Sequence, residues 1–227
     1  MTVVALIPAY QAEATLGAVV EATRSFVPEV VVVDDGSTDA TSRVAERAGA
    51  LPIRLEANRG KGAALRAGFA WVLARGGDAV VTIDADGQHD AGEIPRLLDA
   101  WKATGAGLVI GSRAHLVEGM TPARRLGNKF SRRAVSFFAG IPVPDGQSGF
   151  RLYDALLLCR VPLWGTRYEM ESEVIVKAAR AGFRVESVPV RLARAEGTGT
   201  SHFRPWRDTA RICATVVRSR FWTPPCS

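Results

Sequence analysis

Two aspartates one residue apart, Asp84 and Asp86, follow the apolar run Asp78-Ala79-Val80-Val81-Thr82-Ile83, and Gln88 comes two residues later. Along an extended strand, side chains at i and i+2 share a face. A strand that stays extended to this point projects both carboxylates from its carboxyl end, with the Gln88 amide oxygen close by. Two hard anionic oxygens and a neutral one form a partial shell for Mg²⁺ or Mn²⁺, leaving positions for phosphate oxygens. An acidic loop capping the next helix through Asp90 explains the same residues without a metal. An isolated Asp-x-Asp triplet does not separate the two readings.

Three further stretches carry chemistry-bearing residues. Asp34-Asp35-Gly36-Ser37-Thr38-Asp39 ends a second apolar run. Two acids in succession exceed what a turn requires, so Asp35 is read as a contact to a base or ribose and Asp39 as a helix cap. Asn58-Arg59-Gly60-Lys61-Gly62 opens a helix, where glycines allow close approach and Lys61 favours an anion. It fits neither the dinucleotide fingerprint, which wants glycine at Leu65, nor the P-loop, which wants Ser or Thr after Lys61. A glycine-lined helix start packed on a sheet explains it equally well. His202, just after the Gly-Thr-Gly-Thr stretch 197–200, is placed to reach a diphosphate or acceptor if that loop closes, or is an exposed histidine at a helix start.

The elements around these residues alternate. Strands are expected at Val3–Pro8, Val30–Asp35, Pro52–Glu56, Ala79–Asp84 and Leu108–Gly111. Helices are expected at Thr15–Ser25, Asp39–Ala48, Lys61–Leu73 and Glu93–Ala103. Near-continuous apolar strands separated by helical lengths indicate a mostly parallel sheet covered on both faces. Ligands of such sheets sit at strand carboxyl ends, where Pro8-Ala9-Tyr10, Asp34-Asp35 and Asp84-Ala85-Asp86 all fall. The second half is less regular: helices at Pro122–Ala139, Glu171–Ala181 and Thr209–Arg220, and strands at Phe150–Tyr153 and Phe183–Leu192. Pro189 places the last strand near an edge or bulge, and Gly197–Thr200 reads as a mobile loop.

At 227 residues, with no repeat or linker, the chain reads as one α/β domain. Cys159, Cys213 and Cys226 are widely spaced, which argues against a zinc site or disulfide framework and for a reducing compartment. The start lacks the basic region of a signal peptide, and no apolar run approaches a bilayer span, so a chain that does not cross a membrane is expected. The net charge of +6 is unevenly spread. Residues 1–110 hold 10 Lys+Arg against 14 Asp+Glu, and residues 111–227 hold 19 against 9. The basic half calls for an anionic partner. No aromatic–basic pattern on a strand supports nucleic acid.

On a helical wheel, Arg124, Arg125, Asn128, Lys129, Arg132 and Arg133 share one arc, and Leu126, Phe130, Ala134, Phe137 and Phe138 another. An ordinary solvated face over a core stripe would look the same. Five cations backed by three phenylalanines also suit transient contact with a membrane surface. Arg204, Trp206, Arg207, Arg211, Arg218, Arg220, Phe221 and Trp222 extend that expectation to the last helix.

Ile7-Pro8-Ala9-Tyr10, Val33-Asp34-Asp35-Gly36-Ser37-Thr38-Asp39, Gly60-Lys61-Gly62, Asp84-Ala85-Asp86-Gly87-Gln88, Gly111-Ser112-Arg113 and Ser148-Gly149-Phe150-Arg151 occur in that order. Together they resemble family-2 glycosyltransferases, in the branch of dolichol- or polyprenol-phosphate mannosyl and glucosyl transferases. The resemblance covers nearly the whole chain. It implies a single GT-A domain, with a nucleotide-binding half (1–110) and an acceptor-binding half (111–227). It implies an inverting, metal-dependent hexosyltransferase moving sugar from GDP-mannose or UDP-glucose to a polyprenyl or dolichyl phosphate at the cytoplasmic face of a membrane. By position, Pro8 and Tyr10 line the nucleotide pocket, Asp35 meets base or ribose, and Lys61 lies on the donor side. Asp84, Asp86 and Gln88 hold Mg²⁺ or Mn²⁺. Arg113 meets the acceptor phosphate, with Arg125, Lys129, Ser148, Arg151 and His202 as further acceptor contacts. Where the family usually has Asn-Glu after the tyrosine, this chain has Gln11-Ala12-Glu13, and Glu13 is the candidate substitute acid.

A phosphate acceptor needs orientation by arginine rather than a strong base. A sugar-hydroxyl acceptor needs a base, for which Asp145, Glu169 and Glu171 are candidates. The rival functions are therefore transfer to a glycan or small-molecule hydroxyl, and nucleotide-sugar binding without turnover.

Overall fold

The computed structural model describes residues 1–113, 132–193 and 205–224. Seven strands form one sheet in the order β3-β2-β1-β4-β6-β5-β7. They are β1 (Val3–Ala9), β2 (Glu29–Asp34), β3 (Leu51–Arg54), β4 (Ala79–Thr82), β5 (Leu108–Ser112), β6 (Arg151–Asp154) and β7 (Val185–Pro189). Pairing is parallel throughout except for β6, which runs antiparallel between β4 and β5. The carboxyl ends of β1, β2, β4 and β5 therefore share one edge. Because β6 is reversed, it delivers its amino-terminal side, residues 145–150, to that same edge.

The helices are α1 (Leu16–Arg24), α2 (Thr41–Arg47), α3 (Lys61–Leu73), α4 (Ile94–Thr104), α5 (132–139), α6 (Ala155–Arg160), α7 (Glu169–Arg180) and α8 (Pro205–Arg220). Two apolar clusters lie on either side of the sheet. One joins β1 and β2 residues such as Ile7 and Val32 to Leu16, Val20, Ile94 and Leu97. The other joins Leu6 and Val33 to Leu65, Phe69, Val174 and Ile175. Strands buried on both faces must be apolar at every position, which is why β1 and β2 show continuous rather than alternating hydrophobicity. Each fully buried Leu or Ile contributes roughly 1.5–3 kcal/mol. α3 lies unusually close to β1, since a Cβ added at Gly68 would collide with Leu6.

Most expected elements are present within two or three residues, with three physical differences. β4 ends at Thr82 and the chain turns at residues 85–87, with Gly87 at φ 72°. A turn, not strand alternation, therefore sets the relation of Asp84 to Asp86. The first residues of α2 are capped obliquely: Asp39 accepts from the Thr41 amide at 3.0 Å, one residue before the formal cap at Ala40. The short α6 was not expected; Asp154 starts it by accepting from the Leu156 amide at 2.8 Å. β7 is indeed an edge strand, as Pro189 requires.

Candidate active site

The Asp84–Gln88 turn is held from both sides. Thr15 Oγ1 donates to the Ala85 carbonyl at 2.7 Å, and the Gln88 amide donates to Asp86 Oδ1 at 3.0 Å. The Ala193 amide donates to the Gln88 carbonyl at 2.9 Å, and His89 pairs with Leu192. The two carboxylates differ electrostatically. Burial pushes Asp84 up, but the Lys61 ammonium, with His89 and Arg113, outweighs it and holds Asp84 below the usual range. Asp86 is raised, by burial first and then by the charge of Asp84. Charge is thus favoured on Asp84 and disfavoured on Asp86.

Lys61, the first residue of α3, reaches Asp84 Oδ1 at 2.5 Å and Glu171 Oε1 at 2.6 Å. Burial alone would lower its pKa; the two carboxylates reverse that and raise it. Gly149, just before β6, lies against this cluster. A Cβ there would fall 2.5 Å from Lys61 Nζ and 2.6 Å from Asp84 Oδ1. The Gly149 carbonyl accepts from Thr82 Oγ1 at 2.7 Å, which fixes the approach.

Arg151 builds the floor. It is fully buried, and its guanidinium donates to the carbonyls of Ser148 (2.6 Å), Glu171 (2.6 Å) and Gly146 (2.9 Å). One side chain thereby joins the 146–148 loop to α7 and sets Glu171 beside Lys61. Above it, Arg113 follows β5 and donates from Nε to Asp145 Oδ2 at 3.0 Å. Burial raises Asp145, but Arg113 overrides this and lowers it.

On the β1–β2 side, Asp35 is buried and accepts from the amides of Arg59 (2.8 Å) and Gly60 (2.7 Å). Burial against those bonds leaves its pKa raised. Asp34 is wholly structural, accepting from the Ser37 amide at 2.8 Å and from Ser42 Oγ. Gly36, at φ 73°, lets the 34–38 turn meet Ala57, where any Cβ would clash with backbone. Pro8 is buried in β1, and Tyr10 sits half-buried just beyond it.

The model of glycosyl transferase family 2 matches residues 4–159, more than half of the chain. The chain belongs to that family. A polyprenol monophosphomannose synthase of Mycolicibacterium smegmatis is 37% identical, over 84% of this chain and 77% of that protein. An undecaprenyl-phosphate mannosyltransferase of Micrococcus luteus is 33% identical, over 86% and 85%. Among solved structures, glucosyl-3-phosphoglycerate synthase of Mycobacterium tuberculosis, in complex with Mn²⁺, UDP and phosphoglyceric acid, superposes with a TM-score of 0.77. It is 24% identical, over 100% of this chain and 80% of that one, and shows the shared GT-A fold.

Within this family-2 glycosyltransferase, Asp84, Asp86, Lys61 and Arg113 gather at one sheet edge. Two expected contacts do not. Ser148 and Arg151 are fully buried; Ser148 Oγ accepts from the Phe150 amide and Arg151 is spent on three carbonyls, so both shape the loop instead of facing an acceptor. Glu13 accepts from the Ala40 amide at 2.8 Å while its own amide donates to Asp39. One of its carboxylate oxygens thus closes the start of α2. Arg125, Lys129 and His202 lie outside the described residues. Of the cationic–aromatic tail, Arg218 is exposed and stacks 4.5 Å over Trp164, and Trp222 is half-buried with its carbonyl on Arg180.

The residues present fit a divalent cation. Among the described residues no cluster of three His, Cys, Asp or Glu can hold a metal. Two neighbouring carboxylates are instead the donor set that a hard ion shared with phosphate oxygens takes.

Sequence reasoning passed over His89. It is buried with Nδ1 unpartnered, its ring 5.3 Å from that of Phe150, and burial pushes its pKa down to about 4. A histidine lowered from 6.5 in the unfolded chain is neutral in both states above that value. Below it the unfolded chain takes the proton first, so stability is lost as pH falls from 6.5 toward 4. Urea unfolding should show His89 costing ~2–3 kcal/mol between pH 7 and pH 4.5. His89→Gln should lessen the acid loss by that amount; an unchanged slope would contradict a buried neutral imidazole.

Proposed function

We propose that this glycosyltransferase moves a hexose from a nucleoside-diphosphate donor to a polyprenyl or dolichyl phosphate at the cytoplasmic face of a membrane, with inversion at the anomeric carbon. The observation that carries this is that, among the described residues, each of the three candidate bases already has a partner. Asp145 is paired with Arg113 and held acidic, Glu171 is paired with Lys61, and Glu169 accepts from the Thr166 and Arg167 amides. A phosphate monoester, with a second pKa near ~6, arrives already ionised and needs no proton removed.

In this reading an acceptor phosphate oxygen attacks the anomeric carbon. The bond to the donor's diphosphate breaks, and its electron pair leaves with the nucleoside diphosphate. Asp84, Asp86 and Gln88 would hold Mg²⁺ or Mn²⁺, which would supply neutralisation of the leaving charge. Lys61 and the amino terminus of α3 favour the same diphosphate. Asp35, Pro8 and Tyr10 bound the nucleoside side, and Arg113, oriented by Asp145, receives the acceptor phosphate.

The lipid part of the reading is supported by the surface. No described helix is long and apolar enough to cross a membrane. Arg132 and Arg133 are exposed, and Phe137 is 79% exposed. Between α5 and α8 lies a wholly apolar cavity of about 180 Å³, bounded by Ala134, Val135, Phe138, Ile212, Cys213 and Val216. Cavities of about 150 Å³ accept a benzene-sized group, a scale that suits an isoprene unit. Val135 also packs toward Gly146, next to Asp145, so the cavity adjoins the acceptor side of the site.

Incubation with Mn²⁺, a nucleotide-sugar panel and either a short prenyl phosphate or the matching prenol tests this. An acid-labile, charged prenyl-phosphate sugar is expected from the phosphate alone. A neutral glycoside from the prenol, or transfer only to a glycan, would defeat the acceptor assignment. Arg113→Ala should raise the acceptor KM about 10- to 100-fold, the ~1.5–3 kcal/mol of a charged hydrogen bond, with the donor KM nearly unchanged. A normal acceptor KM would refute the role of Arg113.

A further inference from the structure

In this structure the cation on Asp84 is Lys61. Its Nζ lies 2.5 Å from Asp84 Oδ1 and 2.6 Å from Glu171 Oε1, with little solvent around either the lysine or Glu171. A divalent ion approaching Asp84 meets an ammonium already on that carboxylate, and like charges at such range repel strongly. The two partners of Lys61 are not equivalent. Glu171 is buried at the start of α7, and its backbone carbonyl is fixed by Arg151. Asp84 lies beyond the end of β4, on a turn that opens to the sheet edge. Gly149 has no side chain where Nζ and the Asp84 carboxylate come to rest, so both charged groups pack against its backbone, and the lysine stem itself is flexible.

We propose that Lys61 is a displaceable counter-ion. It neutralises Asp84 while no metal is bound. When a divalent cation takes Asp84, Lys61 stays tethered to Glu171 and turns its charge to the donor's diphosphate. The inference rests on Asp84 being a metal ligand, as the function proposed above requires. Its consequence is thermodynamic coupling. The metal must evict an ammonium, and a nucleoside diphosphate gives that ammonium a new partner, so each ligand strengthens the other by the same factor. Mn²⁺ alone then binds weakly, and nucleotide tightens it.

The test is Mn²⁺ titration followed by the electron paramagnetic resonance of free Mn²⁺, with and without GDP or UDP. Lys61→Met should bind Mn²⁺ alone about tenfold or more tighter than wild type, since the competing charge is gone. Its tightening by nucleotide should shrink correspondingly. Glu171→Gln, which leaves Lys61 to Asp84 alone, should bind Mn²⁺ more weakly. A cluster with a merely structural role would weaken Mn²⁺ in both variants, so the opposite signs are diagnostic. Lys61→Arg keeps the charge and should retain weak binding and nucleotide enhancement, which keeps the idea testable if Lys61→Met fails to fold. Unchanged or weaker Mn²⁺ binding in folded Lys61→Met, or tight binding in Lys61→Arg, overturns this proposal alone. Wild-type protein that takes up no Mn²⁺ with either nucleotide overturns the metal reading of the site as well.

Discussion

Asp84→Asn should lower kcat/KM for transfer by at least about 10³-fold, the scale expected when a preorganised charge facing the leaving group is lost. The substitution keeps the shape of the side chain and removes its charge. Lys61 still has Glu171 as a partner, so no buried charge is stranded and the fold should survive. That separation matters, because stranding a buried charge costs roughly 3–5 kcal/mol and would confuse loss of function with loss of structure. Circular dichroism melting should therefore change little while turnover and metal-dependent donor heats in calorimetry vanish. Retention of a tenth of wild-type activity would be incompatible with Asp84 as a metal ligand.

Gly149→Ala should be nearly as damaging, for a steric reason. The added methyl would fall 2.5 Å from Lys61 Nζ and 2.6 Å from Asp84 Oδ1, well inside contact distance. Both obstructing atoms are side-chain ends that can move, so folding is spared and the displacement is taken up inside the site. A shift of about 1 Å in reacting groups can cost on the order of 10²-fold in rate. We expect kcat/KM to fall by that factor with a melting temperature within a few degrees of wild type. Full activity in Gly149→Ala would mean that the position this structure gives Asp84 does not set the rate.

Both substitutions act at the one edge where the chain's two halves meet, and that meeting explains what was legible beforehand. The continuous apolar runs of β1, β2 and β4 could be read directly, because a strand covered on both faces has no polar positions to spare. The start of α3 at Lys61 was equally plain, with glycines on both sides. Asp84 and Asp86 were visible as a pair, although the turn after Thr82, not an extended strand, sets their relation. Ser148 and Arg151 were misread for a common reason. Each is a polar residue in a functional-looking stretch, but it is fully buried and its partners are backbone groups, Phe150 N–H for one and three carbonyls for the other. Sequence spacing carries no record of which backbone groups a fold leaves unpaired.

The amino-acid order alone determined a sheet of apolar strands with acidic and glycine-rich turns at their carboxyl ends, because hydrophobic periodicity and turn chemistry are local properties. It also determined the family, through six short stretches in a fixed order. Only the tertiary structure decided that β6 reverses direction. Reversal brings residues 145–151 to Asp84, and α7 brings Glu171 to Lys61, across 110 residues of chain. Whether Asp145 and Glu171 serve as bases or as partners of Arg113 and Lys61 depends on those long-range contacts. Charge pairing is settled by distance in space, and strand order and direction set that distance.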